Sequence, residues 1–416
     1  MNDDQLLRAV DPALAAILSR EEARQASTLD LIASESIPSA AVRAAQASRV
    51  SGKTAEGYPG ARYHTGTGVV DGLERLTIQR AMALFGAEHA NVQPNSGVNA
   101  NLAVYEALLK PGDEVLALNL AHGGHLSHGA AASITGKAYR FHHYGVDPTT
   151  EEIDLAAVRA LALEHRPRLL VTGGSSYPRL TDYAGLRAIA DEVGAFFLAD
   201  IAHIAGLVAA GVIPSPVPDA DVVTFTTYKT LLGPHGGVIL SRAALGPKVD
   251  RGIFPGTQGT PAFGMMAAKA VCLEYAATSA FQATMQLVLD DARGLASALE
   301  RRGHRLVAGG TDTHQVLVDL RPVGITGDVA ERSLESAGIL TNRNVIPFDP
   351  GTPRAPSGLR LGLTVAAQRG IGQDRMPELA AMIDRILRAP GDATVIDSVG
   401  AEVVALCAMY PMSSAG

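Results

Sequence analysis

Lys229 stands where an apolar, β-branched run, Val222 to Thr227, gives way to a turn holding Gly233, Gly236 and Gly237. The 416 residues contain six lysines (Lys53, Lys110, Lys137, Lys229, Lys248 and Lys269), so a lysine at a strand end is not routine surface filling. A lone lysine there more often carries its ammonium out to water. Burial would give it another use, because desolvation lowers the amine pKa and leaves a nucleophile for a carbonyl. Asp200 ends a second apolar run, "AFFLAD", with His203 three residues on. An aspartate so placed commonly caps the next helix, but it can also hold a proton on a pyridinium nitrogen. Ser96 and Gly97, in "PNSGVNAN", open a helix whose first amides and positive dipole end suit a phosphate. An amine, an acid and a phosphate turn in one α/β domain together meet the needs of a pyridoxal phosphate site.

Such residues need elements to hold them. Apolar runs at 114–118, 168–174, 195–200, 221–227 and 236–240 alternate with helical stretches such as 98–110 and 183–194. This pattern predicts α/β units around a mostly parallel sheet covered on both faces. In such a sheet ligands gather beyond the C-terminal strand ends. Asp11 before Pro12 predicts a capped helix start, and the pattern from Asp71 to about Gly86 is helical. Residues 31–39 are turn-rich, and 55–68 form a glycine-rich loop of a length that is uncommon without a function. After residue 280 the texture becomes α+β: a long helix (281–302), runs at 304–310 and 314–320, a helix (327–337), then 338–344 and 357–366. Residues 1–280 are expected to form an N-terminal arm and large cofactor-binding domain, and 281–416 a smaller C-terminal domain. The tail from Ala389 shows little pattern.

A net charge of −7 and no lysine/arginine run argue against nucleic acid or a membrane surface as partners. The first ten residues are acidic and lead into no apolar core, so they do not read as a secretory signal. No stretch of about 18 apolar residues suggests a span. Cys272 and Cys407 are far apart and offer neither a disulfide framework nor metal spacing, which fits a reducing cytoplasm. His122, His125 and His128 recur at intervals of three and could be read as metal ligands. No companion zinc spacing follows, and "GGH" suits a loop flattened against a ring, so no metal is expected.

The segments "NLAHGGHLSHG" (119–129), "DIAHIAGLVAAGVIPSPVPDADVV" (200–223), "YKTLLGP" (228–234) and "FPGTQG" (254–259) resemble serine hydroxymethyltransferase. That is a pyridoxal phosphate family of fold type I, and the likeness runs from about Leu31 to about Arg388. The resemblance implies that Lys229 forms the Schiff base with the cofactor. It implies that Asp200 faces the pyridinium nitrogen with His203 beside it, and that His125 stacks on the ring. Ser96, Gly97 and Ser175 match cofactor-contacting positions, and Gly259 matches a glycine given to the phosphate by a neighbouring subunit. Arg360, in "SGLRLG", matches the arginine holding the substrate carboxylate, a task that suits a planar fork of donors. Ser34 and Glu56 match positions lining the site from the partner subunit, Glu56 being the acid/base candidate. Leu120, Leu126, Tyr63, Glu56 and Asn344 keep the folate-side pattern. A homodimer or homotetramer with shared sites is implied, and a folded monomer should then be inactive.

Several positions depart from the family. Tyr228 replaces the usual histidine before the lysine, His235 an arginine, and His64 the second of two tyrosines, while Tyr63 keeps the first. Thr54, Val98 and Thr260 also differ. Exchanges of histidine and tyrosine beside the chemistry point to a shifted task, with Tyr228, Tyr63 and His64 as further catalytic candidates. The expected reaction makes and breaks the Cα–Cβ bond of a β-hydroxy amino acid: serine/glycine hydroxymethyl transfer, with tetrahydrofolate as co-substrate. The alternatives are a threonine transaldolase or aldolase adding a glycyl carbanion to another aldehyde, and an α-methylserine hydroxymethyltransferase. A metal-dependent hydrolase on His122, His125 and His128 and a catalytically silent subunit are rivals from other classes. The presence of Lys229, Asp200 and Arg360 weighs against the silent subunit.

Overall fold

The computed structural model describes residues 3–412. At its centre lie seven strands: β1 (His89–Asn91), β2 (Glu114–Leu118), β3 (Arg140–Tyr144), β4 (Leu169–Thr172), β5 (Phe196–Asp200), β6 (Val222–Thr226) and β7 (Gly237–Ser241). They are ordered β1-β7-β6-β5-β4-β2-β3, and β7 alone runs against its neighbours. Alternate side chains feed two cores, as the period of two requires. Leu116, Leu170, Phe197, Val223 and Phe225 fill one. Val115, Leu169, Val171, Leu198 and Val222 fill the other. Both faces are covered, so the inner strands read as unbroken apolar runs.

The edge strands β1 and β3, "HAN" and "RFHHY", have no such run. Edges meet solvent on one side and tolerate polar residues, so apolar runs do not reveal them.

A second sheet is antiparallel: β8 (Arg305–Leu306), β9 (Gln315–Asp319), β10 (Asn342–Asn344) and β11 (Gly358–Gly362), ordered β8-β9-β11-β10. Its core joins Val316, Val318, Leu359 and Leu361 to Leu379, Ile383 and Leu387 of the helix Met376–Arg388. Leu29 and Leu31 from the N-terminal segment enter the same core, and Leu29–Asp30 pairs in parallel with Ile339–Leu340. The helix Ser279–Arg301 serves both halves, with Phe281 and Met285 in the first core and Leu295 and Leu299 in the second.

Asp11 caps the helix Pro12–Ser27 as its sequence predicts, its carboxylate accepting from the Leu14 amide at 2.9 Å. Elsewhere the structure corrects the sequence reading. The helix expected from Asp71 begins at Gly68. The loop 55–68 contains a hairpin, Gly57–Tyr58 against Ala61–Arg62. The run 357–366 leaves the sheet at Gly362 and continues as the helix Thr364–Gln368. The tail holds a 17-residue helix, Ala393–Met409. Its buried residues Val399, Val403, Leu406 and Cys407 have helical spacing, diluted in the sequence by apolar residues on every face. No helix among the described residues is long and apolar enough to cross a membrane.

Candidate active site

The C-terminal edge of the central sheet collects the predicted residues. Asp200 ends β5, Ser175 follows β4, the histidine loop follows β2, and Lys229 lies three residues beyond β6. The turn after Lys229 is closed by the Thr227 amide on the Gly236 carbonyl and the Gly233 amide on the Thr227 carbonyl, at 3.1 and 2.7 Å. Lys229 is only 7% exposed, and its ammonium has no hydrogen-bond or ion-pair partner among the described residues. Burial draws the amine down to about 8, with the Asp200 charge opposing the shift and Arg360 adding to it. The surface-lysine reading does not hold.

Asp200 is buried, and its Oδ2 accepts from Asn101 Nδ2 at 2.7 Å and lies 3.1 Å from His128 Nε2. Its Oδ1 accepts from the Ala202 amide at 2.9 Å. Burial alone would raise this carboxyl, but His128, then His125 and Asn101, hold it below the ordinary carboxylate range. It does not cap a helix, since the next one, Ala205–Ala209, starts after Ile204. Gly173 lets the β4 loop pass close by: its φ is 132°, and a Cβ there would collide with the Asp200 backbone oxygen.

Asn101 also donates to Ser127 Oγ at 2.9 Å, and that hydroxyl lies 2.7 Å from His125 Nδ1. The Ser127 amide donates to the same nitrogen, so Nδ1 is an acceptor and the ring is neutral. Burial lowers His125 to about 4. His203 is buried too and is held well below its ordinary value by that burial. It stacks with His314, ring centroids 5.5 Å apart. Ser96 caps the helix Gly97–Leu108 by accepting from the Asn99 amide at 3.1 Å. Gly97 packs so closely on β6 that a Cβ would sit 2.7 Å from Thr226 Cγ2.

Arg360, on β11, is 9% exposed and drawn down to about 10 by burial, with no carboxylate partner among the described residues. It donates from Nη1 to the Ser175 carbonyl at 2.5 Å and from Nε to Asn342 Oδ1 at 3.0 Å. Tyr228 and His235, both departures from the family pattern, stack on each other with ring centroids 3.9 Å apart. The Tyr228 ring centre lies 5.9 Å from Lys229 Nζ. Ser34 belongs to a strap whose Ala33 carbonyl lies 3.0 Å from His314 Nε2, and whose Ser36 hydroxyl donates to the Tyr228 carbonyl at 2.6 Å.

A second group of candidates makes its own contacts. The Glu56 amide donates to His64 Nδ1 at 3.3 Å, and Tyr63 packs on Phe254 with ring centroids 5.6 Å apart. The Gly259 Cα faces Glu56 Oε1. No hydrogen bond or ion pair joins these four to Lys229, Asp200 or Arg360 among the described residues. Tyr63, Leu120 and Leu126 are exposed.

The three histidines of the metal reading do not converge as a set. His122 accepts from the Val146 amide at 3.0 Å and packs on Phe348. His125 and His128 instead approach Asp200, with ligand atoms within 4.8 Å of one another. Sequence reasoning missed Asn101 and the role of His128. Asn101 lies one helical turn beyond Gly97 and so shares its face, a signal available in the sequence. His128 offered none beyond its spacing. The residues fit pyridoxal phosphate. Lys229 and Arg360 are buried basic groups with no ion-pair partner among the described residues, Asp200 is a buried carboxylate able to hold a ring proton, and Ser96–Gly97 opens a helix whose first amides suit a phosphate.

Residues 7–383 match the family model described as serine hydroxymethyltransferase. A serine hydroxymethyltransferase of Nostoc sp. is 49% identical over 413 residues, covering 99% of this chain and 96% of its own. Those of Synechococcus sp. (49% over 420 residues, 98% and 97% covered) and Cyanothece sp. (48% over 408, 98% and 96%) are equally similar.

Proposed function

Since the chain belongs to the serine hydroxymethyltransferase family, whose enzymes use pyridoxal phosphate with tetrahydrofolate as co-substrate, we propose that it moves a hydroxymethyl group between serine and glycine. One observation carries the reading: Lys229 and Arg360 are both buried, neither has an ion-pair partner among the described residues, and the Arg360 charge acts on Lys229 beside the buried carboxylate of Asp200. That arrangement suits an amino acid whose amine meets a carbonyl while its carboxylate meets a guanidinium. The transaldolase alternative draws no support from relatives so similar over nearly their full length.

Bound at this site, pyridoxal phosphate supplies an electrophilic aldehyde and a ring able to take up negative charge from the substrate. Lys229 presents a nucleophilic amine, part neutral near pH 8 because water is excluded from it. Asp200, anionic and held by Asn101 and His128, would keep a proton at the ring nitrogen. His125 is fixed by Ser127 as a flat neutral imidazole suited to stacking. The Ser96–Gly97 helix start would hold the phosphate, and Arg360 the substrate carboxylate. Glu56, Tyr63 and His64 form an acid/base set that we assign to the site of a partner subunit, as also Gly259. The absence of any bond joining them to Lys229 among the described residues of one chain supports a homodimer or homotetramer. Two buried, unpaired cysteines support a cytoplasmic location. We also propose the division into domains at 280/281.

The test incubates purified holoenzyme with serine or threonine, with and without tetrahydrofolate. Glycine formed from serine in a folate-dependent way is expected. Acetaldehyde from threonine, indifferent to folate and faster than any serine reaction, would overturn the reading.

A further inference from the structure

We propose that Asn342 is a positioning residue that aims Arg360 at the substrate carboxylate, an inference that rests on the reading of Arg360 given above. The register of β10 on β11 sets Asn342 directly across from Arg360, and such cross-strand pairs share one face of the sheet. Asn342 Oδ1 accepts from Arg360 Nε at 3.0 Å, while its Nδ2 donates to the Arg343 carbonyl at 2.9 Å. That second bond fixes which end of the amide meets the arginine. On the other side the Ser175 carbonyl accepts from Nη1.

A guanidinium has five N–H donors in one plane. Asn342 and Ser175 engage one on Nε and one on Nη1, and Nη2 has no acceptor among the described residues. The plane is thereby held from two sides by two neutral acceptors. Neutrality matters: an aspartate in place of Asn342 would pair with the cation and cancel the charge meant for a ligand. Asn342 therefore acts through Arg360 and has no contact of its own to make with the substrate.

The test uses holoenzyme carrying Asn342→Asp or Asn342→Ala. Dissociation constants for glycine and for glycinamide, which keeps the amine but lacks the carboxylate, are read from the cofactor's visible spectrum. Asn342→Asp should weaken glycine by roughly tenfold or more, the size of one charge-assisted hydrogen bond, and glycinamide by less than about threefold. Asn342→Ala should show the same selectivity more weakly, with the loss for serine larger in KM than in kcat. A variant that binds glycine as the wild type does, or loses both ligands equally, overturns the proposal. If Asn342→Asp does not fold, Asn342→Ala decides by the same comparison. If the wild type holds glycine no better than glycinamide, the reading of Arg360 fails first. A wild type that discriminates beside variants that discriminate to the same degree sinks the role of Asn342 alone.

Discussion

Lys229 shows how one residue's burial becomes chemistry. Its amine is drawn down to about 8, chiefly because water cannot solvate the charged form. Apo-protein should therefore capture pyridoxal phosphate faster as pH rises through about 8, then level off, as stopped-flow absorbance would record. A rate flat in pH, or one surviving in Lys229→Met, would refute this. The sign for stability is the same. Between about 8 and the ordinary lysine value of 10.5 the folded apo-protein binds fewer protons than the unfolded chain, so this group's contribution to stability rises across that window. Lys229, Asp200 and the Ser96–Gly97 turn were legible from residue type and position. The place of Asn101, one turn beyond Gly97, was legible too, but its bond to Asp200 and that of His128 were not, because they exist only once a helix and a loop distant in sequence meet at Asp200.

Elements hold these groups through close backbone approaches. Gly173 lies where the β4 loop presses on the end of β5, at a φ of 132° that favours glycine. Gly173→Ala should cost roughly 2–4 kcal/mol from strain and overpacking combined, seen as a lower urea midpoint. Weaker cofactor binding should accompany it, because Asp200 must shift. An unchanged midpoint and affinity would contradict the argument. The inner strands were legible because both faces are buried. The edge strands were missed for the converse reason, and the C-terminal helix because its apolar stripe is not set off by a polar face.

At the scale of the molecule, no hydrogen bond or ion pair among the described residues joins Lys229, Asp200 and Arg360 to Glu56, Tyr63, His64 and Gly259 within one chain. If sites are completed across a subunit interface, co-refolding inactive Lys229→Ala with inactive Glu56→Gln should restore about a quarter of wild-type activity, through mixed dimers with one intact site. No recovery would argue that each chain completes its own site. The sequence alone determined the α/β class, the resemblance to a family and the positions of the amine, acid and phosphate turn, because local pattern and residue type carry that information. Only the tertiary structure decided which polar groups surround Asp200, that Tyr228 stacks on His235, and that Asn342 clamps Arg360. The groups at Asp200 come from segments far apart in the chain, Asn342 meets Arg360 through sheet register, and Tyr228 meets His235 through the folding of the turn between them, none of which a local pattern of residue types specifies.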